Sequence, residues 1–137
     1  MGNNVIMSGF AAAAGHCTIC DWAIIGGCAA LHQFVRIGEH AMVGGASRVT
    51  QDVAPYMIAE GGVLRSVNTI GLQRRGFAED DIRSIKYAYR KLFLDKKSNM
   101  TLNIETLLTE GDAKHVQNPH VQRILQFLKE SERGFLH

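Results

Sequence analysis

A six-residue period runs through the first 54 residues of this 137-residue chain and constrains its fold more than any other feature. One column of the repeat is apolar throughout, and the column four residues later is small or β-branched. The apolar column is Met1, Met7, Ala13, Ile19, Ile25, Leu31, Ile37, Val43 and Val49, and the small column is Val5, Ala11, Cys17, Ala23, Ala29, Val35, Ala41, Ser47 and Val53. Two matched columns of this length predict one structural unit repeated along the chain.

A six-residue repeat, or hexad, is typical of short parallel strands joined by tight turns. The apolar residue of each hexad then faces the core, and the small residue lies at a corner. Three hexads close one triangular coil, so residues 1–54 supply about three coils, near the minimum for a stable solenoid. An antiparallel sandwich would instead need turn signals every ~8–12 residues and no fixed register. We therefore expect a mainly β fold, a parallel β-helix. Because Met1 enters mid-pattern without a polar cap, we expect an N-terminally truncated β-helix, or a partner that covers its open end.

The character of the chain changes after the repeats. Of 15 basic and 13 acidic residues, only five lie within residues 1–54. These five are Asp21, Arg36, Glu39, Arg48 and Asp52. We divide the chain into β-helix coils (1–56), a connecting loop (57–76) and a small α-helical C-terminal domain (77–137).

Helical spacing supports the last unit. Ile82, Ile85 and Leu92 share one face of a helix that has acidic residues at its start and Lys96 and Lys97 beyond its end. A weaker helical pattern covers about 102–110. Asn118-Pro119 is typical of a helix start and precedes a further apolar face.

Composition excludes several classes of protein. Hydrophobic residues make up 46% and charged residues 20%, which excludes extended disorder, and a net charge of +2 gives no basis for nucleic-acid binding. No apolar run is long enough for stable membrane insertion. Three cysteines without an export signal favour reduced thiols and a cytoplasmic location.

The histidines lie outside the apolar column. His16, His32 and His40 should therefore project from the coil surface, and His16 should stack on Phe34 one coil away. His32 and Gln33 stand next to Phe34 in a lattice of small residues, which suggests a groove. Histidine can serve as base, hydrogen-bond donor or metal ligand. Simple surface polarity is the alternative.

Two short motifs carry weaker signals. Cys17 and Cys20 form C-x-x-C without a second ligand pair, which favours small-residue packing over zinc binding or redox chemistry. Arg74 and Arg75 stand just before the first predicted helix, where two adjacent cations would repel the helix start unless an anion binds there. The two arginines could therefore bind a phosphate together or form a solvated charge pair, and the sequence alone does not decide between these interpretations.

Six runs of sequence resemble the UDP-N-acetylglucosamine acyltransferases. They are AGH (14–16), DWAIIGG (21–27), LHQF (31–34), VGGAS (43–47), QDVAPY (51–56) and GLQRRGF (71–77), and Arg133-Gly134-Phe135 resembles the end of that family. The similarity covers nearly the whole chain and is strongest over 14–77. These motifs are far more specific than the hexad, which many acyltransferases share.

The resemblance implies a left-handed parallel β-helix with a helical C-terminal domain, assembled as a homotrimer with active sites between subunits. It implies transfer of a 3-hydroxyacyl chain from acyl carrier protein to the 3-hydroxyl of a UDP-N-acetylglucosamine-type nucleotide in lipid A biosynthesis, with no metal or cofactor. The backbone amide of Gly15 would stabilise the oxyanion. The substrate contacts implied are His16, His32, Gln33, Gly45, Asn68, Arg74 and Arg75. Gly45 would measure the acyl chain, and the last three would contact the nucleotide and its phosphates.

The sequence differs from the pattern of that family in two places. The family's catalytic histidine lies about one coil before His16, so we expect the general base upstream of Met1 and negligible turnover by this chain alone. Ile70 stands where some members have glutamate, which leaves a 2,3-diamino sugar nucleotide open. The alternatives are an acetyl-CoA-dependent hexapeptide acetyltransferase, a metal site like that of gamma-class carbonic anhydrases, and a non-catalytic trimeric module.

Overall fold

The computed structural model describes residues 1–94, 99–132 and 134–137, so Lys96, Lys97 and Arg133 of the patterns above lie outside the described residues. The first eight strands have two residues each. They are β1 (Ile6–Met7), β2 (Ala12–Ala13), β3 (Thr18–Ile19), β4 (Ile24–Ile25), β5 (Ala30–Leu31), β6 (Arg36–Ile37), β7 (Met42–Val43) and β8 (Arg48–Val49). The predicted parallel β-helix is confirmed, because each strand from β1 to β5 pairs in parallel with the strand three further along, as Ile6 with Ile24.

Three sheets form the sides of the β-helix. The first contains β1, β4 and β7, the second β2, β5 and β8, and the third β3 and β6. Both predicted columns line the core: from Ile19 to Val49 every apolar-column residue is buried, and so is every small-column residue from Ala23 to Val53. At the first coil the core is open, with Met1 79% exposed.

The corners have a regular backbone. Every sixth residue from Asn4 to Ala46 has a left-handed φ between 57° and 66°, although none is glycine. These residues are Asn4, Phe10, His16, Trp22, Cys28, Phe34, His40 and Ala46. The last coil is shorter, since Ile37 bridges Val53, and Pro55 packs so closely on Gly38 that a Cβ there would collide with its backbone. The next left-handed corner is Tyr56.

Residues 57–76, expected as a connecting loop, are regular. Strands β9 (Met57–Glu60) and β10 (Val63–Val67) form an antiparallel hairpin, and β9 extends the first sheet by pairing with β7. Gly61 and Gly62 turn the hairpin with left-handed φ values of 61° and 81°. Helix α1 (Thr69–Arg74) follows. The division into three units stays a prediction.

The predicted C-terminal helices are confirmed. Helix α2 (Glu79–Tyr89) continues as a π-helical turn (Arg90–Leu94), and α3 (Met100–Glu110) and α4 (Ala113–Val116) follow. Helix α5 (Pro119–Lys129) is capped at its start by Asn118, whose Oδ1 accepts from His120 N at 2.9 Å. No described helix is both long and apolar enough to cross a bilayer.

Helix α5 and the tail pack on the last coil. Arg123 donates to both carboxylate oxygens of Glu39, at 2.6 and 2.9 Å. Asp52 is buried and accepts from Arg36 N at 2.9 Å and from Ser131 Oγ at 2.7 Å. Leu136 N donates to the Asp52 carbonyl at 2.8 Å. These contacts hold the helical part against one side of the β-helix.

Candidate functional site

Many of the large polar and aromatic side chains of the β-helix stand at its left-handed corners. Corner residues one coil apart stack into columns, so a side chain at one corner lies beside its counterpart in the next coil. His16 and Phe34 form such a column between the second and third sheets, with ring centroids 4.9 Å apart and planes 6° apart. The predicted stacking of these two rings is therefore confirmed.

Three predicted site residues share one depression on the second sheet. Gly15, His32 and Gln33 line this depression of about 350 Å³, together with Arg48 and Thr50. A Cβ built on Gly15 would lie 3.5 Å from Gln33 Nε2, which shows how close the two approach. The side chains of His32 and Gln33 are exposed there, so a ligand would meet an imidazole, an amide and a bare backbone. We call this depression the His32 pocket.

His16 lies on the far side of the same corner. It lines a separate depression of about 320 Å³ with Phe34, Arg36, Asp52 and Glu130. Its exposed ring is held by stacking on Phe34 rather than by the groups of the His32 pocket. The structure therefore separates His16 from His32 and Gln33.

Gly45 occupies a different corner, between the first and second sheets. It is exposed, and Gly9 and Gly27 stand at the same place in the preceding coils. A Cβ at Gly45 would lie 3.3 Å from the Gly27 carbonyl oxygen, tighter than an ordinary contact. Glycine there leaves this edge of the first sheet smooth.

An apolar groove runs along the outer face of the first sheet. Ile24, Met42 and Ile58 stand side by side across three strands and line a groove of about 500 Å³. Helix α1 forms its other wall with Ile70 and Arg74, so a cation lies beside apolar side chains. We call it the first-sheet groove. It can accept a long apolar group and an anion together.

The two arginines contact different groups and end a helix that was not predicted from the sequence, so the argument from a helix start does not apply to them. Their role as phosphate contacts stays a prediction. Arg74 ends α1 and Arg75 is its C-cap, so both stand at a helix C-terminus, which favours cations without a bound anion. Arg74 is exposed and lines the first-sheet groove. Arg75 does not line that groove, and its Nη1 lies 3.1 Å from His40 Nδ1.

Asn68 is buried and makes structural contacts with both of its side-chain atoms. Its Oδ1 accepts from Gly71 N at 3.3 Å and caps α1, while its Nδ2 donates to the His40 carbonyl at 2.9 Å. Asn68 nevertheless lines the first-sheet groove with Arg74. It therefore fixes α1 against the β-helix at the edge of that groove.

The two cysteines of the C-x-x-C motif contact different groups. The Cys17 thiol donates to the His32 carbonyl at 3.0 Å. Burial, and then the charge of Glu39, raises the pKa of the Cys20 thiol to about 11. Within the part of the chain that the structure describes, no three His, Cys, Asp or Glu side chains are grouped to hold a metal ion.

Comparison with known proteins decides the family. The sequence model described as "UDP N-acetylglucosamine O-acyltransferase, domain 2" matches residues 52–136. This chain belongs to that family. An acyl-[acyl-carrier-protein]–UDP-N-acetylglucosamine O-acyltransferase of Burkholderia lata is 41% identical over 143 residues, covering 99% of this chain and 52% of that protein.

Solved structures agree. The Arabidopsis UDP-N-acetylglucosamine acyltransferase superposes with a TM-score of 0.90 at 33% identity, covering 99% of this chain and 50% of that one. The enzyme from Campylobacter jejuni gives 0.85 at 33% identity, covering 98% and 52%. The matches confirm the predicted left-handed β-helix with a helical C-terminal part. The chain spans about half the length of the relatives it matches, and the roles of its site residues stay predictions.

One cluster of stacked aromatic rings in this chain was not predicted from the sequence. Trp22, His40 and Tyr56 form the column at the corner between the third and first sheets, with Phe77 packed edge-on against His40. Tyr56 Oη lies 2.9 Å from His120 Nδ1, which links this column to α5. The signal was present, because Trp22 and His40 are one coil apart and occupy the same position of the six-residue repeat as His16 and Phe34.

Proposed function

We propose that this chain forms the substrate-binding part of an acyltransferase acting on UDP-N-acetylglucosamine, with acyl-acyl carrier protein as donor, in lipid A biosynthesis. The observation that carries the proposal is the convergence of Gly15, His32 and Gln33 in one pocket. The relatives' names supply the donor and the acceptor. The family assignment makes the same chemistry the natural one here.

The proposed reaction is acyl transfer from a thioester to a hydroxyl. A base removes the proton of the sugar 3-hydroxyl, and its oxygen attacks the thioester carbonyl carbon. Negative charge then develops on the carbonyl oxygen, where the Gly15 N–H would donate a hydrogen bond. The C–S bond breaks, the carrier's thiol leaves with the proton, and the 3-hydroxyacyl ester remains on the sugar.

The first-sheet groove suits the remaining parts of the two substrates. Its apolar wall of Ile24, Met42 and Ile58 would accept the acyl chain, and Arg74 would contact a phosphate. Gly45 would limit the acyl chain at the neighbouring corner. The exposed side chain of Ile70 would lie near the nucleotide.

The proposal includes a homotrimer in the cytoplasm. Ile6 on the outer face of the first sheet is 55% exposed, and the pockets are open depressions that a neighbouring chain would close. All three cysteines are free thiols, which suits a reducing compartment. Light scattering should give a mass three times the 15.1 kDa of one chain.

Calorimetric titration with UDP-N-acetylglucosamine tests the proposal. His32→Ala and Arg74→Gln should each weaken binding by about tenfold, the worth of one hydrogen bond to a charged group. Arg83→Gln removes an exposed arginine paired with Asp80 on α2 and should leave binding unchanged. Absence of binding by the wild-type chain, or equal losses in all three variants, would refute the proposal.

A further inference from the structure

His40 contacts two of the residues predicted to bind the nucleotide. Its carbonyl oxygen accepts from Asn68 Nδ2 at 2.9 Å, and its ring Nδ1 lies 3.1 Å from Arg75 Nη1. Its own N–H donates to the Asp21 carbonyl of the preceding coil at 3.0 Å. The N-cap and the C-cap residue of α1 therefore both contact His40, Asn68 at its backbone carbonyl and Arg75 at its ring.

The His40 ring is held on several sides. Trp22 stacks on one face at 6.1 Å between centroids with planes 4° apart, and Tyr56 on the other at 5.9 Å and 16°. Phe77 meets the ring edge-on at 4.8 Å. With both faces and one edge covered, the ring has little freedom to rotate, so the direction of its Nδ1 lone pair is set.

The contact with Arg75 requires a neutral imidazole. A guanidinium only donates, so Nδ1 must accept and the ring proton must sit on Nε2. Burial chiefly, and then the positive charge of Arg75, lowers the pKa of His40 to about 4. His120 adds to this effect, while Glu39 and Asp21 oppose it. At neutral pH His40 is therefore an acceptor.

We propose that His40 is the positioning residue for Arg75. The imidazole holds the Arg75 guanidinium in one place before substrate binds, so that the guanidinium can contact an anionic phosphate of the substrate without losing further rotamer freedom. The inference rests on the proposed function and extends it to Arg75, which does not line the first-sheet groove but which the resemblance implies as a second contact of the nucleotide phosphates. The Arg75 guanidinium also lies over Trp22, 5.5 Å from the ring centroid, which restrains it from a second direction. A side chain ordered in advance loses less rotamer freedom when ligand binds.

A double-mutant cycle with UDP as the probe tests the proposal. His40→Phe keeps the stacking ring and removes the acceptor, and Phe10 and Phe34 show that phenylalanine occupies this left-handed corner elsewhere in the chain. It should weaken UDP binding by roughly three- to tenfold. His40→Asn, which keeps an acceptor and tolerates a left-handed φ, should restore affinity to within about twofold. In an Arg75→Gln background, His40→Phe should cause no further loss; additive losses, or an Asn variant as weak as Phe, would overturn the proposal.

A second readout does not need ligand. Trp22 is the single tryptophan of the chain, and a protonated imidazole stacked on it quenches its fluorescence. The wild type should show a fluorescence transition near pH 4 that moves to higher pH in Arg75→Gln and is missing in His40→Phe, with circular dichroism verifying that the fold persists. Arg83→Gln should leave the transition and the affinity unchanged.

The two readouts separate the two proposals. A wild-type chain that does not bind UDP contradicts the proposed function itself. UDP binding together with additive losses, or with a transition that Arg75→Gln leaves in place, contradicts only the positioning role of His40.

Discussion

Two exposed alanines should respond oppositely to the same substitution. Ala46 is a β-helix corner with a left-handed φ of 59°, whereas Ala30 lies in the extended backbone of β5. Both methyl groups face outward, so neither substitution opens a cavity in the core. Replacing each by glycine therefore isolates the backbone contribution.

The expected magnitudes follow from the two conformations. A left-handed φ costs an L-residue about 1–2 kcal/mol, which glycine avoids, and glycine loses about 0.5–1 kcal/mol more chain entropy on folding. Ala46→Gly should therefore raise the free energy of unfolding by about 0.5 kcal/mol. Ala30→Gly has no strain to relieve and should lower it by about 1 kcal/mol.

Urea unfolding followed by circular dichroism measures both values, with equal m-values showing that the unfolded states are comparable. The variants should differ by about 1.5 kcal/mol, with Ala46→Gly the more stable. If Ala46→Gly is destabilised as much as Ala30→Gly, the left-handed corner is not the strained feature that this reasoning requires.

Three further predictions concern single residues. Asp52→Ala leaves two half-buried donors, Arg36 N–H and Ser131 Oγ, without the carboxylate that accepts from them, and should cost about 3 kcal/mol in urea unfolding. A loss below about 1 kcal/mol would contradict its role in holding the tail. Burial raises the pKa of Glu39, but the hydrogen bonds from Arg123 outweigh it and leave the pKa below its usual value. This ion pair therefore stabilises the fold at neutral pH and is lost as the pH falls, so the stability difference between wild type and Glu39→Gln should shrink from about pH 7 to pH 3; a constant difference would argue against it. With its pKa at about 11, Cys20 is roughly 0.1% thiolate at about pH 8, so iodoacetamide should label exposed Cys28 first, and early labelling of Cys20 would be inconsistent with its burial.

The β-helix was predictable because its rule is local. Each hexad places one aliphatic residue inward and one small residue at a corner, and stacking repeats the choice coil after coil. Ile25 and Val43 are buried partners in adjacent strands for this reason. Residues 57–76 were expected to be a loop, although the Gly61-Gly62 hairpin could have been predicted, because two glycines between apolar runs are a common turn signal.

Other features depend on packing that the pattern does not encode. Helix α1 has six residues with Gly71 inside it, which is too short and too poor in helix formers to show a period. The different contacts of Arg74 and Arg75 follow from where α1 ends and from the position of His40, which is distant in the sequence. The adjacent arginines of the motif therefore indicate which residues belong to the site, but not which group each of them contacts.

In the proposed function, the outer surface of the β-helix, rather than the C-terminal helices, holds the substrate. Amide ¹H–¹⁵N spectra recorded during a titration with UDP-N-acetylglucosamine would locate the bound substrate residue by residue. We predict that the largest shift changes occur at Gly15, His32 and Gln33, with further changes at Asn68 and Arg74 of the first-sheet groove. Changes confined to the small cavity between α2 and α3, lined by Tyr87 and Leu107, would contradict it.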